Sequence, residues 1–230
     1  MKIYKYDNSR GAMDCGVTGK GLKWRLLAAT LGVVLAAPAL AAEPAVAAVE
    51  QAKTTATTVC VACHGEEGNS VVPMFPKLAG MTREYIAKQL TEFISGKRKN
   101  DMMSPVAASL KPADVAPLAA YYGSAKPKPG PVPATPDAKL VEEGKQLFLN
   151  GNETTGVPAC AGCHGQDAAG VALVPRLAGQ YSDYVIAQLK NFNTGVRTND
   201  PNRFMRVVAQ RMTEQEMKAV AEYLSSLELK

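Results

Sequence analysis

The residues best suited to chemistry lie in one five-residue word that occurs twice in the chain. Residues 60–64 read CVACH and residues 160–164 read CAGCH. The chain has 230 residues, and these words contain both of its histidines and four of its five cysteines. In a Cys-x-x-Cys-His word, each thiol can add to a vinyl group of one haem while the imidazole binds the iron. The sequence therefore predicts two covalently attached haem c groups. The predicted attachment and iron-ligand residues are Cys60, Cys63, His64, Cys160, Cys163 and His164.

Three other uses of the paired cysteines explain the pattern less well. A four-cysteine zinc site would have to join both words, and it leaves the repeated histidine without a role. A thioredoxin-like redox pair requires a strand–helix context, which the sequence does not predict. A disulfide within one word explains neither the histidine nor the repeat.

An internal repeat indicates which residues could be the sixth ligand of each iron. Residues 76–80 (PKLAG) match residues 175–179 (PRLAG), and the match continues to an Arg-x-Asn-Asp segment in each half. Since no third histidine exists, methionine is the available soft ligand, and His/Met ligation raises the potential of a haem. Only Met103 and Met205 correspond across the repeat, 39 and 41 residues after their histidines. We expect these two methionines to be the sixth ligands, and Met102 remains the alternative to Met103.

The first 42 residues have the pattern of an export signal. Three basic residues precede the apolar run LLAATLGVVLAAPALAA, residues 26–42, which ends in the small residues of a cleavage site. The run is short for a membrane-spanning helix, which needs about 20 apolar residues. We expect a signal peptide over residues 1–42 and a periplasmic mature chain, and a retained N-terminal anchor is the alternative.

The rest of the chain is almost neutral, with 20 basic and 19 acidic residues beyond position 42. It contains no basic run interleaved with aromatic residues, so the sequence excludes nucleic acid as a partner.

A proline-rich segment divides this remainder into two halves. Residues 126–137 read KPKPGPVPATPD, which neither a helix nor a central strand accommodates, and which favours an extended spacer. The flanking segments carry apolar residues at helical spacing. We predict an all-α fold with a first domain over residues 43–125 and a second over residues 138–230, joined by this linker.

Local signals also predict where several helices begin. Thr82 and Ser182 are candidate N-caps, and Thr213 with Glu216 has the spacing of a capping box. Pro112 suits the first turn of the last helix in the first half.

Two further repeated pairs are candidates for holding the haems. The carbonyls of Pro76 and Pro175 are predicted to accept a hydrogen bond from the free ring nitrogen of each ligand histidine, and a simple turn is the alternative. Arg98 and Arg197 are predicted to pair with haem propionates, because a forked guanidinium matches a carboxylate. A solvated charge is the alternative for these arginines.

The two words, the Pro-x-Leu-Ala-Gly stretches, the Tyr-x-x-x-Gln-Leu segments and the paired methionines resemble the cytochrome c4 family. Its members are two-haem, class I c-type cytochromes of the bacterial periplasm. The resemblance covers about residues 52–230 and implies two tandem class I cytochrome c domains that face each other. It implies that Cys60, Cys63, His64 and Met103 serve one haem and that Cys160, Cys163, His164 and Met205 serve the other. The first half departs from the family pattern, because only the second half has the helix with Gly144 and Phe148.

These patterns favour an electron carrier over an enzyme. The resemblance implies a respiratory donor complex and a terminal oxidase or similar acceptor as partners, and peripheral association with the inner membrane stays open. One alternative is the haem c subunit of a dehydrogenase complex. Another is a two-haem peroxidase, which needs an open iron and a distal acid–base group that the two histidines do not provide.

Overall fold

The computed structural model describes residues 42–129 and 137–227. The predicted signal peptide, apart from its last residue, and residues 130–136 of the predicted linker lie outside this range. Within it the chain is helical, and the β-structure amounts to isolated bridges at Asn152–Val157 and Val171–Val174. The prediction of an all-α fold is confirmed. In the same part of the chain, no helix has the length and apolar character needed to cross a membrane.

The described elements follow the same order in both halves. The helices of the first half are α1 (Ala42–Thr55), α2 (Val61–His64), α3 (Arg83–Ile94), α4 (Met103–Ala108) and α5 (Pro112–Ser124). Those of the second half are α6 (Ala138–Asn150), α7 (Ala161–His164), α8 (Ser182–Asn193), α9 (Phe204–Arg211) and α10 (Glu214–Ser226). In each half, the shortest helix carries the Cys-x-x-Cys-His word and the helix before the last carries a predicted methionine ligand.

The last helix of each half packs against the first and the third. Helix α5 contacts α1 and α3, while α10 contacts α6 and α8. In the second half, Gly144 allows the close approach, because a Cβ there would lie 1.9 Å from the carbonyl oxygen of Ala219. In the first half the small residues Ala52 and Ala56 are buried in the equivalent core. Alanines therefore take the place of the missing Gly-x-x-x-Phe pattern.

The two halves also reach their haem words differently. Helix α1 runs through one π-helical turn, Ala56–Cys60, directly into the first word. In the second half, a loop separates the end of α6 at Asn150 from Cys160. The first word is thus a continuation of its N-terminal helix, and the second is not.

Most predicted helix starts are confirmed, and one is wrong. Thr82 accepts a hydrogen bond from the Tyr85 amide, Thr213 and Glu216 form the capping box, and Pro112 opens α5. Ser182, however, is the first residue of α8, and the N-cap position belongs to Tyr181. Tyr181 stands where the first half has Thr82, but its ring is buried and its hydroxyl donates to the Ser70 carbonyl at 2.6 Å. A contact between the halves has taken the place of a cap.

Candidate haem-binding sites

Each predicted ligand histidine is oriented by a proline carbonyl of its own half. The Nδ1 atom of His64 lies 2.9 Å from the carbonyl oxygen of Pro76, and that of His164 lies 3.0 Å from the oxygen of Pro175. Since a carbonyl can only accept, Nδ1 carries the proton and donates, which leaves the lone pair of Nε2 free for a metal. The predicted hydrogen bond from each histidine to its proline carbonyl is confirmed.

The surroundings keep both imidazoles neutral and fix the turn that follows them. Burial lowers the pKa of His64 and of His164, and the opposing effect of the proline carbonyls is smaller. Neutral imidazole is the form that binds a metal. Gly65 and Gly165 follow with φ of 70° and 82°, a region that residues with a Cβ rarely adopt. The chain can therefore turn away immediately after each histidine.

The first cysteine of each word, Cys60 or Cys160, is partly buried. Burial raises the pKa of Cys160 to about 11 and also raises the pKa of Cys60. A thioredoxin-like pair shows the opposite shift. Among the described residues, no three or more His, Cys, Asp or Glu side chains come together as a metal-ligand set.

The two predicted methionine ligands occupy equivalent positions near the start of their helices. Met103 opens α4 and is partly buried, whereas Met102 is 53% exposed. Met205 is the second residue of α9 and packs against the same apolar cluster as Cys160. These exposures favour Met103 over Met102.

Two buried polar atoms in the described residues are poorly paired: the Nε of Arg176 has no hydrogen-bond partner, and the Tyr122 hydroxyl has only the weakly hydrogen-bonding Cys60 thiol beside it. Burial beside the Cys60 thiol also raises the pKa of Tyr122. Unpaired buried polar atoms are rare and call for a partner group. Arg176 belongs to the PRLAG stretch beside Pro175. Each half therefore has such an atom close to its haem word or to the carbonyl that orients its histidine, as expected of a site that a bound haem completes.

Arg98 and Arg197 lie where the two halves meet, and each is only 9% exposed. Each guanidinium lies over a phenylalanine ring of its own half, 4.6 Å from the centre of Phe93 and 4.5 Å from that of Phe192. The alternative of a solvated charge is wrong for both arginines, because both are buried.

The hydrogen bonds of these arginines are reciprocal between the halves. Arg98 donates to Gln89 at 2.8 Å in its own half, and to Tyr184 at 3.2 Å and Gln188 at 3.1 Å in the other. Arg197 donates to Gln188 at 2.9 Å in its own half. Across the interface it donates to Tyr85 and Gln89, both at 3.1 Å. The halves are thus joined by a buried and nearly symmetric polar network.

The two guanidiniums make the network electropositive around Tyr85, and the buried Glu92 carboxylate is bonded to its edge through Asn199. Burial alone would raise the pKa of Tyr85, but the charges of Arg197 and Arg98 lower it. The described hydrogen-bond partners of both guanidiniums are neutral oxygens. A buried pair of cations of this kind suits anionic groups such as haem propionates.

Sequence reasoning left several residues of this interface without a role. Gln89 and Gln188 match across the repeat, and a glutamine kept in the same place of two otherwise apolar helix faces is a signal that could have marked them. Lys88 and Glu92 carried no such signal, because they contact Asn199 in the other half. For the same reason, the sequence did not indicate the contacts that Asn199 makes across the interface.

Comparison with known proteins gives consistent results. The cytochrome c family model matches the chain twice, over residues 49–126 and 141–228. Cytochrome c4 of Thiocapsa roseopersicina is 45% identical over 190 residues, which cover 81% of this chain and 96% of that protein. A thiosulfate dehydrogenase electron acceptor of Thiomonas intermedia (strain K12) is 41% identical over 206 residues, which cover 87% of this chain and 89% of that protein.

A solved structure shows the same architecture. Reduced recombinant cytochrome c4 from Pseudomonas stutzeri superposes with a TM-score of 0.72 at 35% identity, covering 78% of this chain and 98% of that one. The match extends over nearly the whole of that protein, so it includes both halves.

Proposed function

This chain belongs to the cytochrome c4 family of two-haem c-type cytochromes, and from that membership we propose a periplasmic carrier that passes electrons from a respiratory donor to a terminal oxidase or similar acceptor. The chain is an electron carrier and not an enzyme, and it carries two covalently attached haem c groups. Bound haem supplies one-electron exchange between Fe(II) and Fe(III). The protein's own residues attach, orient and bury it.

The observation that carries the proposal is the repeated histidine geometry. In both halves a Cys-x-x-Cys-His word presents an imidazole whose Nδ1 is held by a proline carbonyl. We assign Cys60 and Cys63 to the attachment of the first haem and Cys160 and Cys163 to that of the second. The proposed axial pairs are His64 with Met103 and His164 with Met205. The same proposal divides the mature chain into domains over residues 43–125 and 138–230.

Arg98 and Arg197 complete the proposed sites by binding haem propionates. Both guanidiniums are buried and their described hydrogen bonds go to neutral oxygens, so a propionate would be an anion that pairs with them directly. Because each arginine also bonds to the opposite half, the same residues would hold a haem and join the domains.

Exposed apolar residues mark where redox partners would approach. Phe204 is 67% exposed directly before Met205, and Met102 is 53% exposed directly before Met103. After each haem word a second exposed pair occurs at equivalent positions, Val71 and Met74 in one half and Val171 and Leu173 in the other. Each half thus has its own candidate docking face, as needed for a donor at one haem and an acceptor at the other.

A dehydrogenase is a second candidate for the donor. The relative from Thiomonas intermedia is a thiosulfate dehydrogenase electron acceptor. Purified dehydrogenase with its substrate would reduce this chain if it serves that role, whereas a carrier specific to respiratory complexes would stay oxidised. Copurification of a catalytic subunit with the chain would favour a fixed complex over a mobile carrier.

The axial ligands are tested by carbon monoxide, which binds reduced haem with an open position. The wild-type spectrum is expected to stay unchanged. Met103→Ala and Met205→Ala should each let half of the haem bind carbon monoxide, because each opens one iron. Met102→Ala is the matched control and should behave as wild type. Opening by Met102→Ala, or no opening by Met103→Ala, would contradict the assignment in the first half.

A further inference from the structure

The segment that leads to Met205 is held by the other half of the molecule. Asn199 lies six residues before Met205 and is only 2% exposed. Its side-chain amide donates across the interface to Gln89 at 2.9 Å and to Glu92 at 2.6 Å. Its side-chain oxygen accepts from Arg197 at 2.9 Å. Every side-chain polar atom of Asn199 is therefore occupied, and two of its bonds cross the interface.

The main chain of Asn199 is held from the same side. The Lys88 ammonium donates to the Asn199 carbonyl at 2.6 Å and also pairs with Glu92 at 2.5 Å. Lys97 contacts the other oxygen of Glu92 at 3.0 Å. Lys88 and Glu92 lie one turn apart on α3, so one face of a first-half helix fixes both the backbone and the side chain of Asn199.

In the described residues, the equivalent segment of the first half has no matching hydrogen bond to the second half. Its equivalent residue, Asn100, is exposed and accepts hydrogen bonds from the amides of Met102 and Met103, so it fixes the methionine within its own half. The positions of Lys88 and Glu92 are occupied in the second half by Ala187 and Asn191. These two positions of the second half therefore carry no charged side chain that could contact Asn100.

An insertion accounts for the difference. Residues 201–203 have no counterpart in the first half, and they form one 3₁₀ turn between Asp200 and α9. Within it Asn202 and Arg203 have φ of 52° and 62°, two consecutive residues in a region that non-glycine residues rarely adopt. Such residues persist only where the surrounding structure holds them. Asp200 holds this turn within the second half, because its carboxylate accepts from the amide and the Nε of Arg206 at 3.0 and 2.7 Å. Asn199, directly before Asp200, ties the start of the segment to the first half.

We propose that Lys88 and Glu92 are positioning residues for Met205, so that the sixth ligand of the second haem depends on contact with the first half. The sixth ligand of the first haem is fixed internally by Asn100. The inference rests on the proposed role of Met205 as an iron ligand. Contacts from the first half would then determine how firmly the second half holds Met205 as the sixth ligand of its iron.

The test is competition by imidazole for each oxidised iron. The double variant Lys88→Ala/Glu92→Asn gives the first half the residues of the second. Losing charge-assisted bonds to Asn199 should let imidazole displace Met205 about tenfold more readily, with less than about a twofold change at the first haem. Methyl signals of the two bound methionines, assigned with Met103→Ala and Met205→Ala, distinguish the haems.

Two controls separate this role from general loosening. Lys97→Ala removes a lysine from Glu92 but leaves both bonds to Asn199, so imidazole affinity should not change. Asn100→Ala should weaken only the first methionine. Equal weakening of both methionines in the double variant, or no weakening, would overturn the proposal.

If the double variant does not fold, Lys88→Ala with hydrogen exchange of residues 198–206 provides the second measurement. Faster exchange there, with unchanged exchange of residues 99–104, is expected, and equal exchange would overturn the proposal. Failure of Met205→Ala to open the iron would instead refute the ligand assignment, independently of the role of Lys88.

Discussion

Glu92 is a buried carboxylate on which three donors converge. Burial alone would raise its pKa, but the hydrogen bonds from Lys88, Lys97 and Asn199 outweigh burial and lower it. A carboxylate with a lowered pKa stabilises the fold at any pH above its unfolded pKa, which is about 4.3. That stabilisation is lost as the pH falls through the lower, folded value.

We therefore expect Glu92→Gln to change how stability depends on acid. The variant should be less stable than wild type at pH 7, and the difference should shrink as the pH falls below about 4. The free energy of unfolding, measured by urea titration from pH 7 to pH 3, checks this. Glu153→Gln, at an exposed position, is the control. A difference that stays constant over this range would show that the charge of Glu92 is not what stabilises the fold.

Packing between helices differs in the two halves, although their order is the same. In the second half, α6 approaches α10 so closely that Gly144 faces the backbone of Ala219. In the first half, α1 uses alanines and continues directly into the haem word. Each solution depends on small residues, because a larger side chain would separate the first helix from the last.

Gly144→Ala should accordingly be costly. Its Cβ would lie 1.9 Å from a backbone oxygen that cannot rotate away, so α6 and α10 must separate. We expect a loss of about 1–3 kcal/mol in the free energy of unfolding. Gly162→Ala is the matched control, since a Cβ there meets nothing within 4 Å and the first half has Ala62 in that position. Equal stability of the two variants would contradict the close helix contact.

Sequence patterns predicted these elements where the determinant is local. The haem words, the capping box at Thr213 and the Pro76 and Pro175 carbonyls all depend on residues within one half. The prediction of Ser182 as an N-cap was wrong, because the preceding residue, Tyr181, takes that position and hydrogen-bonds to Ser70 across the interface. Asn199 was also not recognised, since an aligned asparagine in the first half has a different partner. Contacts between the two halves join residues that are far apart in the chain, so they produce no periodic sequence pattern from which they could be predicted.

The contact between the halves also has an asymmetric part, centred on Gln180. Its side-chain oxygen accepts from the Lys77 amide and its nitrogen donates to the Lys77 carbonyl, both at 3.0 Å and both buried. The first half has Met81 at the equivalent place. Gln180 thus acts like an additional peptide unit that pairs with the first half.

Gln180→Leu should weaken the association of the halves. It leaves the amide and carbonyl of Lys77 buried without partners, which costs about 1–3 kcal/mol. Urea unfolding followed by haem absorbance should report a lower stability. Gln210→Leu on α9, at an exposed position, should have little effect and serves as the control. If both substitutions leave the midpoint unchanged, the two bonds contribute nothing measurable.

The reciprocal bonds of Arg98 and Arg197 have the form of a self-complementary dimer contact, in which the same patch on two copies pairs with itself. Here both copies are carried on one chain. Pairing is then an intramolecular event with an effective concentration on the order of millimolar, independent of how dilute the protein is. Because the two copies are parts of one chain, they can also carry different residues at equivalent positions. Lys88 and Glu92 could arise on one side alone, which a symmetric dimer of identical subunits would not permit.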